Sequence, residues 1–365
     1  MYIPRNKEFR IEVNESQKFK IKVVKGFAEH KGAELVPNKF YLFSDCKTSI
    51  FTFTGCEIVT EGDCDLSFVC EVSMYPKLYD FYSKEESYLI LGDSISTVAI
   101  TLSNYFIRDI GKINFIELDP SKGNIFPGTL SISKIDEISF NSFKINDPFS
   151  LFYGSKDMDN LELYEKQMIK LCEKVDKSES FVALAPFINQ SLLDLTISHL
   201  KPSKVIVVHN ERLFHKINKK HDNFVYLSNT GYQEENKVNK SINRYFNGEE
   251  LVEVNDVMTL KSIYSKKTAI TNLSVVKVGE DYVAPDTALP IGADRKVGIV
   301  EVEDVDLIEN AVLAISDAQE REDVALSPVL GFVVCVDDKK GKVTSVQPKL
   351  PKATFLLQSN IFYSG

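Results

Sequence analysis

Apolar and polar residues alternate with a period of two along the first eighty positions of the chain. "FRIEV", "KFKIKVV", "KFYLFSD", "SIFTFTGCEIV" and "LSFVCEV" follow one another at short intervals, with turn residues between them. That rhythm predicts short half-buried strands and a small β-sandwich or barrel. From about residue 87 the pattern changes. "SYLILGD" is a continuous apolar run ending in Gly92-Asp93, followed by Ala99, Leu102 and Phe106 on one helical face. "INFIELD" reads as a second buried strand, so the segment has the length of a βαβ unit.

"LYEKQMIKLCEKV" then predicts a helix, "SFVALAPF" a strand, "LLDLTISHL" a helix and "SKVIVVHNERL" a strand. Beyond residue 265 strands return in "AITNLSVVKV", "VGIVEVEDV" and a hairpin turning at Asp338 to Gly341. "VDLIENAVLAISDAQ" reads as a helix among them. The class is α/β. A central doubly wound P-loop-type domain (residues 83–252) is flanked by an N-terminal β-sandwich (1–82) and a small β-rich C-terminal domain (253–365).

Composition narrows the function. A formal net charge of -9 argues against a broad electrostatic grip on nucleic acid. The best local basic patch, "HKINKKH" from His215 to His221, reads as a solvated helix end. Six cysteines form no C-x-x-C pair and no zinc-like spacing with the histidines, as expected of buried thiols in a reducing compartment. The charged N-terminus is unlike a signal peptide, and no apolar run has the length of a membrane span. The expectation is a soluble intracellular protein with no membrane partner.

The turn after "LILG" sits where a phosphate loop, G-x-x-x-x-G-K-[ST], would lie. Here Gly92, Asp93, Ser94 and Ile95 lead directly to Ser96 and Thr97, without the second glycine and the lysine. Gly92 to Ser96 spans four positions, about three fewer than the full motif. Two readings stand. One is a helix start capped by Ser96 or Thr97, the other a weak phosphate contact at that helix end. Asp119, in "FIELDPSKG", occupies the place of a magnesium or general-base carboxylate, and is equally an aspartate opening a turn before proline. Lys122 follows it. On residue type alone Glu8 and Lys47 are ordinary surface charges, and His209 to Arg212 follow a strand at the ligand-facing edge of the sheet, where a Glu-Arg structural pair is expected.

The order strand, glycine turn, helix, "FIELD", "FPGTLS" resembles the polynucleotide 5′-hydroxyl kinase family. The resemblance is nearest to its branch in the pre-mRNA cleavage and polyadenylation factor, a subunit also found with the tRNA splicing endonuclease. "EFRIEV", "GFAEHKGAEL", "NKFYLF", "LFYGS", "NLELYEK", "NERL", "INRYFNG", "VAPDTALPIG", "GFVVCVDD" and "LPKATFLL" carry it over nearly the whole chain. The resemblance implies that Glu8 and Lys47 hold the adenine of ATP, that Gly92, Asp93, Ser94, Ser96 and Thr97 line its phosphates, and that Asp119 belongs to the metal site. The sequence departs from the family at four places. The loop is short, and Lys122 replaces the glutamine of D-x-x-Q. "LAPF" (Leu184 to Phe187) stands where the N-T-x-G-W RNA clamp falls, in a chain with no tryptophan. The arginine-rich lid has become "ENKVNKS", with Lys237 and Lys240.

These departures lead to the expectation of a nuclear scaffold of the pre-mRNA 3′-end cleavage and polyadenylation complex. It would not be an enzyme, and ATP with Mg2+ would be weakly bound or absent. Its partners would be other cleavage-factor subunits, reached through Arg244 and Tyr245, with RNA contacted only indirectly or weakly. The alternatives are a nucleotide-sensing subunit that binds ATP, and a divergent RNA kinase in which Lys122 or Lys237 replaces the missing lysine.

Overall fold

The computed structural model describes residues 1–140, 143–218, 223–228, 237–248, 250–251, 259–260, 266–270, 273–279 and 302–363. "VAPDTALPIG" (283–292) and the side chain of Lys237 lie outside the described residues, and the basic run from His215 is described only to residue 218.

The alternating N-terminal runs form strands β1 (Tyr2–Ile3), β2 (Lys7–Val13), β3 (Phe19–Gly26), β4 (Glu29–His30), β5 (Ala33–Glu34), β6 (Phe40–Phe43), β7 (Cys46–Thr52), β8 (Cys56–Gly62) and β9 (Leu66–Cys70). They pair as two sheets, β1-β8-β3-β6 and β5-β4-β7-β2-β9. The period of two sends Phe9, Ile11 and Val13 of β2 inward against Ile21, Val23, Ile50 and Ile58, so one face of each sheet makes the sandwich core.

The central domain runs α1 (Tyr75–Phe81), β10 (Tyr88–Gly92), α2 (Ile95–Ile110), β11 (Ile113–Glu117), β12 (Thr129–Ile135), β13 (Asn146–Phe152), α3 (Leu161–Cys172), β14 (Phe181–Leu184), α4 (Gln190–Leu200), β15 (Lys204–Val208), α5 (Glu211–Ile217), β16 (Phe224–Leu227) and α6 (Lys237–Asn247). Its sheet has the order β13-β12-β11-β14-β10-β15-β16. Strands β11, β14, β10, β15 and β16 run parallel to one another, while β12 and β13 extend the sheet antiparallel. Leu89 and Leu91 of β10 pack on the side of α3, α4 and α5, and Tyr88 and Ile90 on the side of α2. Burial on both faces is why β10 reads as an unbroken apolar run. The predicted strand "SKVIVVHNERL" ends at Val208. Asn210 caps α5 by accepting from the Leu213 N–H at 2.9 Å.

The C-terminal part holds the pair β17 (Glu250–Leu251) and β18 (Thr259–Leu260), then β19 (Lys266–Ala269), β20 (Ser274–Val278), β21 (Val302–Asp304), β22 (Ala311–Ser316), β23 (Val329–Asp337), β24 (Lys342–Ser345) and β25 (Phe355–Phe362). The order in the larger sheet is β19-β24-β23-β22-β25-β20-β21. The helix expected across "VDLIENAVLAISDAQ" is instead strand β22, paired on both sides. Val312 and Ala314 enter one core cluster and Leu313 and Ile315 another. A short apolar run buried on both faces carries no period with which to tell strand from helix.

Candidate functional site

Strand β10 lies between β14 and β15 in the sheet, and its carboxyl end delivers the turn from Gly92 to Ser94 into α2. Gly92 has φ +103°, and a Cβ there would lie 2.2 Å from the Val208 carbonyl oxygen, so only glycine fits beside β15. The Asp93 N–H is spent on that same oxygen at 3.0 Å. Ser94, left-handed at φ +53°, occupies the N-cap position of α2 without a side-chain cap bond. The capping expected of Ser96 or Thr97 does not occur, because both lie inside the helix.

Beneath this turn is a buried polar network that the sequence reading missed. Glu117, the last residue of β11, is fully buried. Its Oε1 accepts from the backbone N–H and the Nδ2 of Asn124, at 2.9 and 2.6 Å, and its Oε2 accepts from the Ile125 N–H at 3.0 Å. Asn124 Nδ2 also donates to Ser96 Oγ at 3.1 Å, tying the first turn of α2 to the loop after β11. Burial pushes the Glu117 carboxyl up to about 7 against the opposing pull of these donors. The signal was available in "FIELD", where a charge interrupts an otherwise apolar strand.

Asp119 stands two residues further on and is nearly buried. Its Oδ1 accepts from the N–H and the hydroxyl of Ser121, at 3.0 and 2.6 Å, which is the turn-opening geometry of an aspartate before proline. Lys122 N donates to the Asp119 carbonyl at 3.1 Å. Where the RNA clamp was expected, β14 ends at Leu184. Phe187 is half-buried there, with Lys216 Nζ 5.3 Å from its ring centroid. Glu211 lies 3.7 Å from His215, one turn along α5, in place of the expected pairing with arginine.

Glu8 and Lys47 do not meet. Glu8 is fully buried, accepting from Arg10 Nε at 2.6 Å and from the Ser73 hydroxyl at 2.9 Å. Burial raises its pKa despite the arginine. It sits opposite Phe51, whose ring stacks on Tyr75 at 4.8 Å, in the seam between sandwich and central domain. Lys47 sits opposite Glu12, four residues along the same strand pair, and its Nζ lies 3.6 Å from the Glu12 carboxylate. Four steps of an extended strand separate the two positions by roughly 13 Å. Glu12, not Glu8, is the acid beside Lys47.

Helix α6 contacts the sandwich, the loop after β11 and the C-terminal sheet. Lys240 Nζ pairs with Asp45 Oδ2 of the sandwich at 2.8 Å. Arg244 Nη2 donates to the carbonyls of Gly123 and Asn124, both at 3.0 Å. The Tyr245 hydroxyl accepts from the Phe332 N–H at 3.1 Å, and its ring meets Phe126 and Phe332 edge-on. Asn247 Nδ2 donates to the Tyr363 hydroxyl at 3.0 Å. Arg244 therefore ties α6 to the central loop, and Tyr245 ties it to the C-terminal sheet, with both side chains half-buried. Gly123 is needed for the close approach, since a Cβ on it would fall 2.8 Å from Ser241.

The residues of the turn do not fit a magnesium-bound triphosphate in the manner of a full phosphate loop. The Ser96 hydroxyl that would meet the metal is buried and accepts from Asn124. One of the loop N–H groups is spent on Val208, and the exposed side chain of the turn is the Asp93 carboxylate.

A parallel sheet with helices on both faces, a glycine turn entering a helix at its carboxyl edge, and β domains before and after it define a P-loop-type protein of three domains. Comparison with known proteins places it further. Residues 2–87 match the N-terminal beta-sandwich domain of polyadenylation factor, residues 95–248 the mRNA cleavage and polyadenylation factor CLP1 P-loop, and residues 263–363 the pre-mRNA cleavage complex II protein Clp1. The chain belongs to the Clp1 family of pre-mRNA cleavage and polyadenylation proteins.

It is similar to the Protein CLP1 homolog of Dictyostelium discoideum, at 26% identity covering 96% of this chain and 86% of the relative. It is also similar to the polyribonucleotide 5′-hydroxyl-kinase Clp1 of Homo sapiens, at 24% identity covering 96% and 92%. Its fold matches a solved structure with TM-score 0.81 at 19% identity, covering 100% of this chain and 98% of the other. That structure describes the extended interface between Pcf11p and Clp1p and the basis for ATP loss in a point mutant. The expectation that the chain is not an enzyme is overturned by these relatives, since the human protein carries the name of a kinase. Among the described residues no helix is long and apolar enough to cross a membrane.

Proposed function

We propose that this chain is an adaptor in the nuclear pre-mRNA 3′-end cleavage and polyadenylation machinery, holding another cleavage-factor subunit as Clp1p holds Pcf11p. The observation that carries this reading is α6. One helix bonds to the sandwich through Lys240, to the central loop through Arg244 and to the C-terminal sheet through Tyr245 and Asn247. Domains locked in this way offer a partner one continuous surface at little ordering cost, which favours affinity. The test is affinity purification of the full chain from its own cells at moderate salt. Cleavage-factor subunits in stoichiometric yield and nuclear enrichment are expected.

The P-loop family suggests ATP binding at the carboxyl edge of the sheet, with magnesium as its usual companion. In our reading the base end contributes most. Lys47 and Glu12 supply a donor and an acceptor side by side, whereas the short turn supplies few N–H groups. A second reading is phosphoryl transfer to RNA 5′ hydroxyls, the activity in the relatives' name. The position of Asp119, nearly buried two residues past the end of β11, favours it. Labelled phosphate transferred from ATP to a 5′-hydroxyl oligonucleotide, and lost in Asp119→Asn, would support that reading.

A further inference from the structure

Strand β9 is the outer strand of the five-stranded sheet and, among the described residues, pairs only with β2. An edge strand presents a row of main-chain N–H and C=O groups to any passing strand, and proteins guard such edges with lysine, proline or bulges. Two other edge strands carry such a guard, whereas β6 and β16 do not. The edge strand β13 contains Pro148, and the edge strand β19 contains Lys267. Strand β9 reads Leu-Ser-Phe-Val-Cys and has none of these.

Its two faces differ. Val69 packs against the sandwich core, while Leu66 and Phe68, 46% and 40% exposed, alternate on the opposite face. Val72, 61% exposed, continues the apolar surface past the strand end. Arg10 stands opposite Phe68 across the strand pair and donates to the Val72 carbonyl, but the segment that carries β9 is acidic. From Thr48 to Pro76 the chain holds Glu57, Glu61, Asp63, Asp65 and Glu71 and no lysine, arginine or histidine. Glu57 is paired with Lys25 and Glu71 with Lys7, while Asp63 and Asp65 lie exposed where the chain enters β9. Two copies meeting edge to edge would bring these acids together, and like charges across a strand pair destabilise it.

We propose that β9 is a docking edge for an extended basic segment of a partner protein, alternating apolar residues with lysine or arginine, which adds to the sheet as a sixth strand. Main-chain hydrogen bonds would supply affinity, Leu66 and Phe68 would take the apolar residues, and Asp63 and Asp65 would select for positive charge. The proposal is independent of the nucleotide site.

The test titrates the full chain with a fluorescent Lys-Val-Lys-Leu-Lys-Val-Lys peptide, alongside its Glu-for-Lys counterpart. Amide exchange is followed in parallel on the unmodified protein. The expected result is saturable binding of the basic peptide, slower exchange across residues 66–70, and binding at least tenfold weaker in Phe68→Ser. Equal binding of the acidic peptide, or binding that leaves exchange at 66–70 unchanged, would overturn the proposal. So would a concentration-dependent dimer that Phe68→Ser abolishes, since the occupant would then be a second copy.

Discussion

Arg244 on α6 donates from Nη2 to the carbonyl oxygen of Asn124, 3.0 Å away and 120 residues earlier in the chain. The same nitrogen serves Gly123. Through Asn124 this contact reaches Ser96 at the head of α2 and Glu117 beneath it. Helix α6 therefore fixes the loop that carries Asp119. Arg244→Ala removes two hydrogen bonds from a charged donor and is expected to cost about 1.5–3 kcal/mol. Hydrogen exchange should quicken across residues 119–125, and the unfolding midpoint should fall. A variant with unchanged exchange in that loop would show that the contact positions nothing.

Glu29 and Glu117 give the stability a definite pH dependence. Burial raises each carboxyl from 4.5 to about 7, against hydrogen bonds from Tyr105 to Glu29 and from Asn124 and Ile125 to Glu117. A carboxyl whose pKa is raised binds more protons folded than unfolded. Its stabilising share is complete below pH 4.5 and is lost as pH rises towards 7. Glu29→Gln keeps an acceptor for the Tyr105 hydroxyl and removes the titration. The stability of this variant should decline less steeply between pH 5 and 7 than that of the parent, by up to about 1.4 kcal/mol per pH unit. Denaturant melts at several pH values measure the difference.

Glu8 and Lys47 should separate on substitution. Glu8→Ala leaves Arg10 and Ser73 facing a buried gap in the domain seam and is expected to cost about 3 kcal/mol. Lys47→Ala breaks a half-exposed pair with Glu12 and should change stability by less than about 1 kcal/mol. If the base end dominates nucleotide binding, Lys47→Ala should weaken adenosine and ATP by similar factors in calorimetric titrations. A large preference for ATP over adenosine would contradict that.

The sequence was most informative where burial is one-sided or where a strand leads into a helix. The period of two in Phe9, Ile11 and Val13 marked the sandwich, and "LILGD" located the turn. It was least informative where a run is buried on both faces, as in Ala311–Ser316, which offers no period at all. Arg244 and Tyr245 showed a different limit. An arginine beside an aromatic has the composition of a binding surface, and the sequence does not show that Arg244 bonds to the loop at Gly123 and Asn124 while Tyr245 meets Phe332 of the C-terminal sheet. Asn124 carried no local signal, because its partners Glu117 and Ser96 are joined only by the return of the chain. Only the resemblance points to Glu8, and cross-strand register gives Lys47 a different neighbour, Glu12.

The adaptor claim is tested most directly by mixing the purified full chain with a purified cleavage-factor partner and measuring the mass of the eluting species by size exclusion with light scattering. The account predicts a stoichiometric complex that survives moderate salt, and that also forms with an Asp93→Ala variant, because the surface and not the turn is read. Separate elution of the two proteins, or a complex formed by the parent and lost with Asp93→Ala, would contradict it.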